Sequence, residues 1–463
     1  MELNSIVDGF KEEIIKSTQD LVKIRSVQDE PREGKPFGEG VASALDKALE
    51  ISKELGFKTV NLDGYVGYAE YGSGEEYVGV LGHLDVVPEG DGWKYPPYEA
   101  EIHDNKMYGR GTMDDKGPIV SALYGLKAIK EAKIPLSKKV RIIFGTNEET
   151  GSTEIPHYME REKAPIAGFT PDGEYPIIYA EKGITIFNVV KDLKTKSTKD
   201  MKIKYIKGGH RANMVPEHCE AGIECVDTDM IIRSAEFFAN RTGINLKAEE
   251  KQGLVVVTSE GVAAHGSVPH MGKNAIMQMF KFLAELPLGY CDALQFIRFF
   301  NNNVGSETDG VSFGVNLEDQ QSGKLSFNVG TVSMDEDRIS MTLNLRYPVT
   351  YTSEQLMEKF NNKLEGTDIR IENFVDQKPL YFDKNHPLIK SLQKVYKEQT
   401  GQEPELLAIG GGTYAKEMPN IVAFGPMFPG GPDLIHQANE HIEIEELILN
   451  AKIYANAIYE LAK

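Results

Sequence analysis

The sequence predicts an α/β protein in which an α/β domain, with helices covering a mixed sheet, is interrupted by an inserted α+β domain. Through residue 182, short apolar runs typical of buried strands alternate with helical patterns, as expected of a layered α/β domain. After residue 182 strand-like alternation dominates, and helical and strand patterns return near residue 379. The predicted bounds are therefore 1–182 and 379–463 for the discontinuous domain and 183–378 for the insertion. A chain of 463 residues is long enough for two or three domains.

The elements of the first part follow from the spacing of apolar residues. Up to about residue 60, such residues recur at helical spacing in two stretches, which predicts two helices, and Gly56 is placed to end the second. An unbroken apolar run over 77–81 predicts a strand buried on both faces. The other elements predicted here are strands over 59–62, 66–71 and 140–146, a helix over 118–132 and a strand within 169–175.

The insertion is predicted to consist mainly of strands. Two alternating stretches, 325–334 and 337–347, predict a hairpin. Its other predicted elements are strands over 183–190, 201–206 and 254–259, a helix over 229–241 and a helix starting near Asn274. The elements predicted after the insertion are a helix over 387–400, a buried strand with a glycine turn over 407–412 and a closing helix over 444–461.

Charge and composition exclude several classes of function. The formal net charge of -19 argues against binding to nucleic acid or to an anionic membrane surface, because both require a basic surface. No apolar run reaches the roughly 18 residues of a membrane span, and the acidic, amphipathic N-terminal stretch lacks the features of a signal peptide. An odd count of three cysteines without a CxxC pair fits a reducing compartment. We therefore expect a cytoplasmic protein.

Several acidic and histidine side chains stand at predicted strand ends or in glycine-rich loops. His83 and Asp85 are two residues apart, so they can stand side by side at the end of their strand. A carboxylate beside an imidazole fixes the tautomer of a metal-ligating histidine. Strand ends of an α/β sheet meet at one edge, so residues that are distant in sequence can converge there. The converging set is predicted to be His83, Asp85, Asp114, Glu148, Glu149, Asp172 and His436.

This set of donors favours a pair of divalent metal ions. Imidazole and carboxylate ligands suit two closely spaced Zn²⁺ ions, with Mn²⁺ as the alternative, and the absence of thiolates argues against a structural zinc site. Two such cations would acidify a water molecule between them, and a further carboxylate would take its proton. Taken singly, each motif also has an ordinary interpretation: an incidental HxD, a helix cap at Asp114-Asp115, or an acidic turn. Their combination favours the metal site.

Five motifs in order along the chain carry a resemblance to a known family. GHLDVVP, GRGTMDDKGP, NEETG, PDGEYP and HQANE together resemble the co-catalytic zinc peptidase family of aminoacylases, carboxypeptidases and dipeptidases. The likeness is greatest to its bacterial PepV-type dipeptidases, which are β-Ala-Xaa dipeptidases similar to carnosinases. It rests on the stretches WKYPPYEAEI and GGTYAKEMPN and on the length of the chain.

The resemblance implies a specific arrangement of metal ligands. Asp114 would bridge two metal ions. His83 and Asp172 would complete the coordination of one ion, and Glu149 and His436 that of the other.

The resemblance also implies how the remaining residues of the first domain act. Asp85 would orient the imidazole of His83. Glu148 would be the general base, taking a proton from the water and passing it to the leaving amine. A cis peptide bond is implied between Asp114 and Asp115.

Three residues of the insertion match positions that contact substrate in the resembling family. His265 in VAAHGSVP would stabilise the tetrahedral oxyanion. Asn213 in ANMVP would bind the substrate backbone, and Arg346 in LNLRYP would bind its terminal carboxylate. The insertion would act as a lid over the catalytic domain.

The function predicted from these observations is that of a metal-dependent dipeptidase. It would hydrolyse L-dipeptides with a free N-terminus, act as a monomer, and bind neither nucleic acid nor membrane. One alternative is an N-acyl-amino-acid deacylase or desuccinylase with the same chemistry. Alternatives of other classes are a non-catalytic binding protein that retains the fold and an acidic interaction scaffold.

Overall fold

The computed structural model describes residues 2–197, 199–432 and 434–463, and the chain divides into two units. The first unit contains the residues up to Tyr179 together with Tyr381–Leu407 and Gly412–Lys463. The second contains Ala180–Leu380 and the short segment Ala408–Gly411. The predicted insertion spans 183–378, and the predicted first domain includes the segment 408–411.

Helices of the first unit precede, connect and follow its strands. Lys116–Glu131 and the C-terminal helix Ile444–Ala462 pack against each other and against the strand Tyr77–His83. The helices of this unit are Glu2–Gly9, Lys11–Val22, Glu39–Glu54, Lys116–Glu131, Glu154–Arg161, Pro387–Thr400 and Ile444–Ala462, with short 3₁₀ turns at Glu148–Thr150 and Tyr414–Glu417.

A mixed sheet of nine strands is built mainly from the first unit. Its strands lie in the spatial order Lys58–Leu62, Val66–Tyr71, Lys139–Gly145, Tyr77–His83, Ala167–Thr170, Ile421–Ala423, Ile177–Glu181 and Leu380–Tyr381, with Leu406–Ile409 also paired to Ile177–Glu181. Short strands outside it are Glu101–His103, Lys106–Tyr108 and His441–Glu443 in one small sheet and Gly173–Glu174 with Pro426–Met427 in another.

The middle of this sheet is parallel. Tyr77–His83 pairs in parallel with Lys139–Gly145 on one side and with Ala167–Thr170 on the other, and His83 lies opposite Gly145. The carboxyl ends of these neighbouring strands therefore emerge at the same edge, which is where α/β sheets place their ligands. The side chains that follow each strand are thereby brought together.

The second unit is organised on an antiparallel sheet of eight strands. In spatial order they are Asn245–Lys251, Leu254–Glu260, His218–Cys225, Met201–Gly208, Ser326–Met334, Arg338–Tyr347, Gly183–Asp192 and Arg370–Gln377. Its helices are Thr228–Thr242, Ala275–Glu285, Asp292–Asn303 and Ser353–Leu364. Its shorter elements are the strand pairs Met214–Val215 with Ala264–His265 and Glu318–Asp319 with Gly323–Lys324, and the 3₁₀ turn Pro269–Met271.

The predicted α/β fold class is confirmed. The differences between prediction and structure concern individual helices and strands. The first predicted helix is two helices, because the chain turns at Phe10 after Gly9, a residue that weakens a helix. No prediction covers the helices Glu154–Arg161, Asp292–Asn303 and Ser353–Leu364. The strand predicted as buried over 407–412 is Leu406–Ile409, and it is only partly buried. Among the described residues, no helix has both the length and the apolar character needed to cross a membrane.

Candidate dimetal site

His83 lies at the end of the central parallel strand and is fully buried. Its Nδ1 is 3.0 Å from the backbone carbonyl oxygen of Asp85 and 3.6 Å from Oδ1 of the same residue. A neutral imidazole that donates its Nδ1–H to Asp85 keeps the lone pair of Nε2 available for a metal ion. The nearer acceptor is thus the backbone of Asp85, whereas sequence analysis assigns the orienting role to its side chain.

The carboxylate of Asp85, which lies beside the imidazole of His83, also connects two strand ends. Its Oδ1 accepts a hydrogen bond from the backbone N–H of Glu148 at 3.2 Å, and its Oδ2 accepts one from that of Glu149 at 3.1 Å. Glu148 and Glu149 follow the neighbouring strand Lys139–Gly145 in a 3₁₀ turn. Asp85 therefore fixes the turn from which both glutamate side chains project.

Asp114 lies between the two histidines of the site. Its Oδ1 is 2.9 Å from Nε2 of His83, and its Oδ2 is 3.0 Å from Nε2 of His436. The peptide bond between Asp114 and Asp115 is cis, as the family resemblance implies. A carboxylate whose two oxygens each face a different imidazole has the arrangement required of a ligand that bridges two cations.

The glutamates and Asp172 complete the cluster. His436 Nε2 is also 3.0 Å from Oε2 of Glu149. Ligand atoms of His83, Asp114 and Glu149 lie within 4.8 Å of one another, and so do those of His83, Glu148 and Asp172. The structure thus brings together all the residues of the first domain that sequence analysis singles out: His83, Asp85, Asp114, Glu148, Glu149, Asp172 and His436.

Negative charge is concentrated in this cluster. Burial and then the charge of Asp114 raise the pKa of Asp172 to about 7. Burial and then the charge of Asp172 raise the pKa of Glu148 well above its usual value, and burial with the charge of Asp114 raises that of Glu149. Within the described part of the chain, no lysine or arginine forms an ion pair with any of these carboxylates. The site therefore has more negative charge than its own side chains balance.

The neighbouring carboxylates also raise the pKa values of the two histidines. Burial alone would lower the pKa of His436, but hydrogen bonds with Asp114 and Glu149 raise it to about 10. Burial would also lower the pKa of His83, and its bonds with Asp114 and Asp85 raise that pKa well above the usual value. Nitrogen and oxygen donors around unbalanced carboxylates suit divalent cations such as Zn²⁺ or Mn²⁺. The residues present therefore fit a metal pair.

Two glycines allow the strand ends to approach the cluster closely. A side chain at Gly82 would collide with the carboxylate of Asp115, and one at Gly145 would collide with the ring of Tyr414. Gly82 immediately precedes His83, so this close approach seats the histidine beside the Asp114-Asp115 loop. Glycine is required at these positions because a Cβ atom would not fit, and not because of an unusual backbone conformation.

The residue that holds the Asp114 loop, Glu440, is not among the predicted site residues. Glu440 is fully buried, and its Oε1 accepts hydrogen bonds from the backbone N–H groups of Gly111, Met113 and Asp114 at 3.0, 3.0 and 3.3 Å. Its Oε2 accepts a bond of 2.6 Å from Arg110. The signal was present in the HQANE motif, four residues after His436, but only the tertiary fold shows which backbone groups Glu440 meets.

We expect Glu440→Gln to lower the free energy of unfolding by about 3 kcal/mol, because it leaves a buried guanidinium without its carboxylate. Denaturant unfolding of the metal-free protein measures the change. Glu443→Gln is the matched control: Glu443 pairs with Lys106 at 3.3 Å, but its side chain is 47% exposed, so the loss of this pair should cost less than about 1 kcal/mol. Equal effects of the two variants would contradict this role for Glu440.

Tyr414 is a second residue that supports the site and that the sequence does not predict, because it packs against the ring of His83. The hydroxyl of Tyr414 hydrogen bonds to the buried carboxyl of Glu154, whose pKa is raised to about 7 by burial. The Tyr414 ring packs edge-on against the imidazole of His83, with ring centroids 6.0 Å apart. Tyr414 lies in the stretch GGTYAKEMPN, where the sequence gives no indication of this contact.

In the second unit, Asn213 and His265 lie on one small ribbon. Met214 pairs with His265 across it, and the N–H of Gly266 donates a 2.7 Å bond to the carbonyl of Asn213. The side chains of Asn213 and His265 are both exposed. His265 Nδ1 is 2.6 Å from Oγ of Ser267, and burial followed by the charge of Arg346 lowers the pKa of His265.

Arg346 is buried in the same unit without a carboxylate partner among the described residues. Its Nε donates to Oδ1 of Asn344 at 3.1 Å, and its Nη1 donates to the carbonyl of Gly410 at 2.6 Å. Burial lowers its pKa to about 10, so the guanidinium remains charged near neutral pH. Both of these hydrogen bonds go to neutral oxygen acceptors.

Most of the chain matches a known family and its relatives. Residues 79–460 match the peptidase family M20/M25/M40. A Bacillus subtilis (strain 168) protein named "Putative dipeptidase YtjP" is 40% identical over 457 residues, covering 98% of each chain. A Staphylococcus epidermidis protein named "Putative dipeptidase" is 36% identical over 459 residues, covering 98% of this chain and 97% of its own.

Solved structures share the fold at low sequence identity. Human carnosine dipeptidase 1 is 16% identical with a TM-score of 0.57, over 99% of this chain and 98% of its own. Aminoacylhistidine dipeptidase from Vibrio alginolyticus is 14% identical with a TM-score of 0.59, over 96% of each chain. The protein therefore belongs to peptidase family M20/M25/M40 and is a metal-dependent hydrolase of peptide bonds.

Proposed function

We propose that this protein is a dipeptidase that uses two divalent cations held around Asp114. The observation that carries the proposal is the position of Asp114, whose two carboxylate oxygens face the imidazoles of His83 and His436 at 2.9 and 3.0 Å. Asp172 would complete the first metal site beside His83, and Glu149 the second beside His436. Relatives at 40% and 36% identity that bear the name dipeptidase support the choice of substrate class.

The chemistry is divided between the cations and Glu148. When bound, the cations supply Lewis-acid polarisation of the scissile carbonyl and acidify the attacking water. Glu148 lies beside His83 and Asp172, and its backbone is fixed by Asp85. In the proposal its carboxylate takes the proton of the water and delivers it to the amine that leaves.

The second unit is proposed to supply the groups that bind the dipeptide. Arg346 would accept the free carboxylate of the C-terminal residue, because a planar guanidinium matches a carboxylate with two parallel hydrogen bonds. Asn213 would bind the substrate backbone. When the Ser267 hydroxyl donates to Nδ1 of His265, Nε2–H of that imidazole becomes a donor suited to an oxyanion. We further propose that this unit is the lid and the first unit the catalytic domain.

The finer assignments are proposals as well. Zn²⁺ is the expected cation, with Mn²⁺ as the alternative. We expect the protein to be a cytoplasmic monomer. Elution at the mass of a dimer in gel filtration would refute the monomeric state.

A substrate panel tests the proposed function. The metal-loaded protein is incubated with L-dipeptides, carnosine among them, with tripeptides and with N-acyl amino acids, and released amino acids are quantified. We expect hydrolysis of dipeptides with a free N-terminus and little hydrolysis of the acyl compounds. Activity on N-acyl amino acids alone would instead establish the deacylase alternative.

We expect Arg346→Met to reduce kcat/KM for a dipeptide by about 10²-fold, because the substrate carboxylate loses its charged hydrogen bonds. The same variant should scarcely change the slower hydrolysis of the corresponding dipeptide amide, which has no carboxylate. Arg338→Met is the matched control, since Arg338 begins the same strand, is partly exposed and pairs with Glu372. An equal loss on both substrates would contradict carboxylate binding by Arg346.

A further inference from the structure

Two buried asparagines face each other in the hairpin that carries Arg346. Asn328 and Asn344 are directly opposed on the strands Ser326–Met334 and Arg338–Tyr347, so their side chains lie on the same face of the sheet. They are only 1% and 0% exposed. Buried amides of this kind are expected to have specific partners.

The contacts of Asn328 determine the orientation of its amide. Its Nδ2 donates hydrogen bonds to the carbonyls of Ala212 at 2.8 Å and Met214 at 2.9 Å. These are the residues on either side of Asn213. Because the NH₂ group faces two carbonyl acceptors, the Oδ1 atom must point away from them, and it is buried without a hydrogen-bond partner among the described residues.

The orientation of Asn344 is determined in the same way. Its Oδ1 accepts the 3.1 Å hydrogen bond from Nε of Arg346, and a guanidinium can only donate. The Nδ2 of Asn344 is therefore turned away from Arg346, and within the described part of the chain it too is buried without a hydrogen-bond partner. One asparagine thus holds the Asn213 loop and the other holds Arg346.

The unused atoms are complementary. Asn328 presents an acceptor and Asn344 a donor at opposed positions, where Cβ atoms are about 5 Å apart. Leaving both unsatisfied in the interior would be costly, and a direct amide hydrogen bond or one bridging water would satisfy both.

The strand itself is adapted to the Asn213 loop. The pairing register shifts between Val329 and Thr331, and a side chain at Gly330 would collide with the backbone of Ala212. Bulges with glycine are typical of sites where another backbone approaches closely. The loop therefore rests on the same hairpin at a second point, independent of Asn328.

We propose that Asn328 and Asn344 form a coupled pair that positions Asn213 and Arg346 relative to each other, and so sets the spacing between the groups that bind the backbone and the carboxylate of the dipeptide. This inference rests on the proposed function for the roles of Asn213 and Arg346. The two asparagines are positioning residues, because they act through side chains that contact the substrate.

A double-mutant cycle tests the coupling. Asn328→Leu and Asn344→Leu should each raise KM for a dipeptide about tenfold, with kcat and metal content unchanged. The double variant should also raise KM about tenfold rather than a hundredfold, because one coupled unit is already broken by either change. Thr331→Val is the control: it removes a 2.8 Å hydrogen bond to Thr342 across the same hairpin and should leave KM unchanged. If the leucine variants do not fold, the serine variants at both positions replace them.

The outcomes separate this inference from the proposed function. Additive increases in KM, or a fall in kcat with KM unchanged, would overturn the coupling in an active dipeptidase. A wild-type protein without dipeptidase activity would refute the proposed function instead. A crystal structure of Asn328→Leu then still tests the coupling without substrate: a displaced Arg346 guanidinium supports it, and an unmoved one overturns it.

Discussion

Replacement of Glu148 by Gln is expected to lower kcat by about 10²- to 10⁴-fold while both cations remain bound, because the variant loses general-base catalysis but keeps its metal ligands. Glu148 stands next to His83 and Asp172, and its backbone N–H is held by Asp85 at 3.2 Å. The carboxamide has nearly the same shape, so the turn that also presents Glu149 should be preserved. Steady-state kinetics and elemental analysis of the purified variant measure both quantities.

The metal content of Glu148→Gln distinguishes a general base from a metal ligand, the two roles that the position of Glu148 allows. The carboxylate is near enough to His83 and Asp172 to be a ligand, and a ligand would be expected to lose a cation on replacement. Loss of one cation in Glu148→Gln would therefore contradict the base assignment even if activity falls. Glu160→Gln, on the exposed face of the following helix, should change neither quantity.

The convergence of the site could be predicted from sequence because it depends on strand order and direction. His83 ends one strand, the glutamate pair follows a second and Asp172 follows a third, and the three strands are neighbouring and parallel. The first two strands are predicted close to their observed bounds, whereas the third is predicted within 169–175 and is observed at Ala167–Thr170. Parallel strands expose their carboxyl ends together. The positions of His83, Glu148 and Asp172 at one edge follow from these facts.

The supports of the site could not be predicted, because they are hydrogen bonds between distant backbone and side-chain groups. Glu440 meets the N–H groups of Gly111 and Met113 more than 320 residues away. The pattern predicts Asp85 beside His83, where its Oδ1 lies 3.6 Å from Nδ1, but it does not show that the same carboxylate also accepts hydrogen bonds from the backbone of Glu148 and Glu149. A sequence pattern indicates which residue types are available and gives no information on which N–H group lies within 3 Å.

The insertion was harder to interpret for a related reason. Arg346 and Asn213 were singled out only through the family resemblance, since an arginine or asparagine in a strand-rich region is ordinarily solvated. The structure adds a physical reason for Arg346: it is buried with amide and carbonyl partners and, in the ranges that the structure describes, no carboxylate. Asn328 and Asn344, which hold these residues, look like ordinary polar residues in alternating strands.

Asp114→Asn is expected to abolish the paired metal site and to reduce kcat/KM by at least about 10³-fold, because Lewis-acid stabilisation worth several kcal/mol is lost. The carboxamide keeps one oxygen, and its NH₂ group cannot ligate a cation. Since the two oxygens of Asp114 face His83 and His436 separately, the variant should bind at most one cation per chain, whereas the wild type is expected to bind two. Elemental analysis after gel filtration gives the stoichiometry.

The stability of the metal-free proteins shows whether Asp114→Asn loses activity because a metal ligand is missing or because the protein no longer folds. Asp104→Asn, at an exposed turn, should retain both cations and full activity. Without metal, Asp114→Asn should unfold cooperatively and within a few degrees of the metal-free wild type, whereas added Zn²⁺ or Mn²⁺ should stabilise the wild type more strongly. Two cations bound with wild-type affinity in Asp114→Asn would refute the bridging role, because each metal site would then be complete without a shared carboxylate.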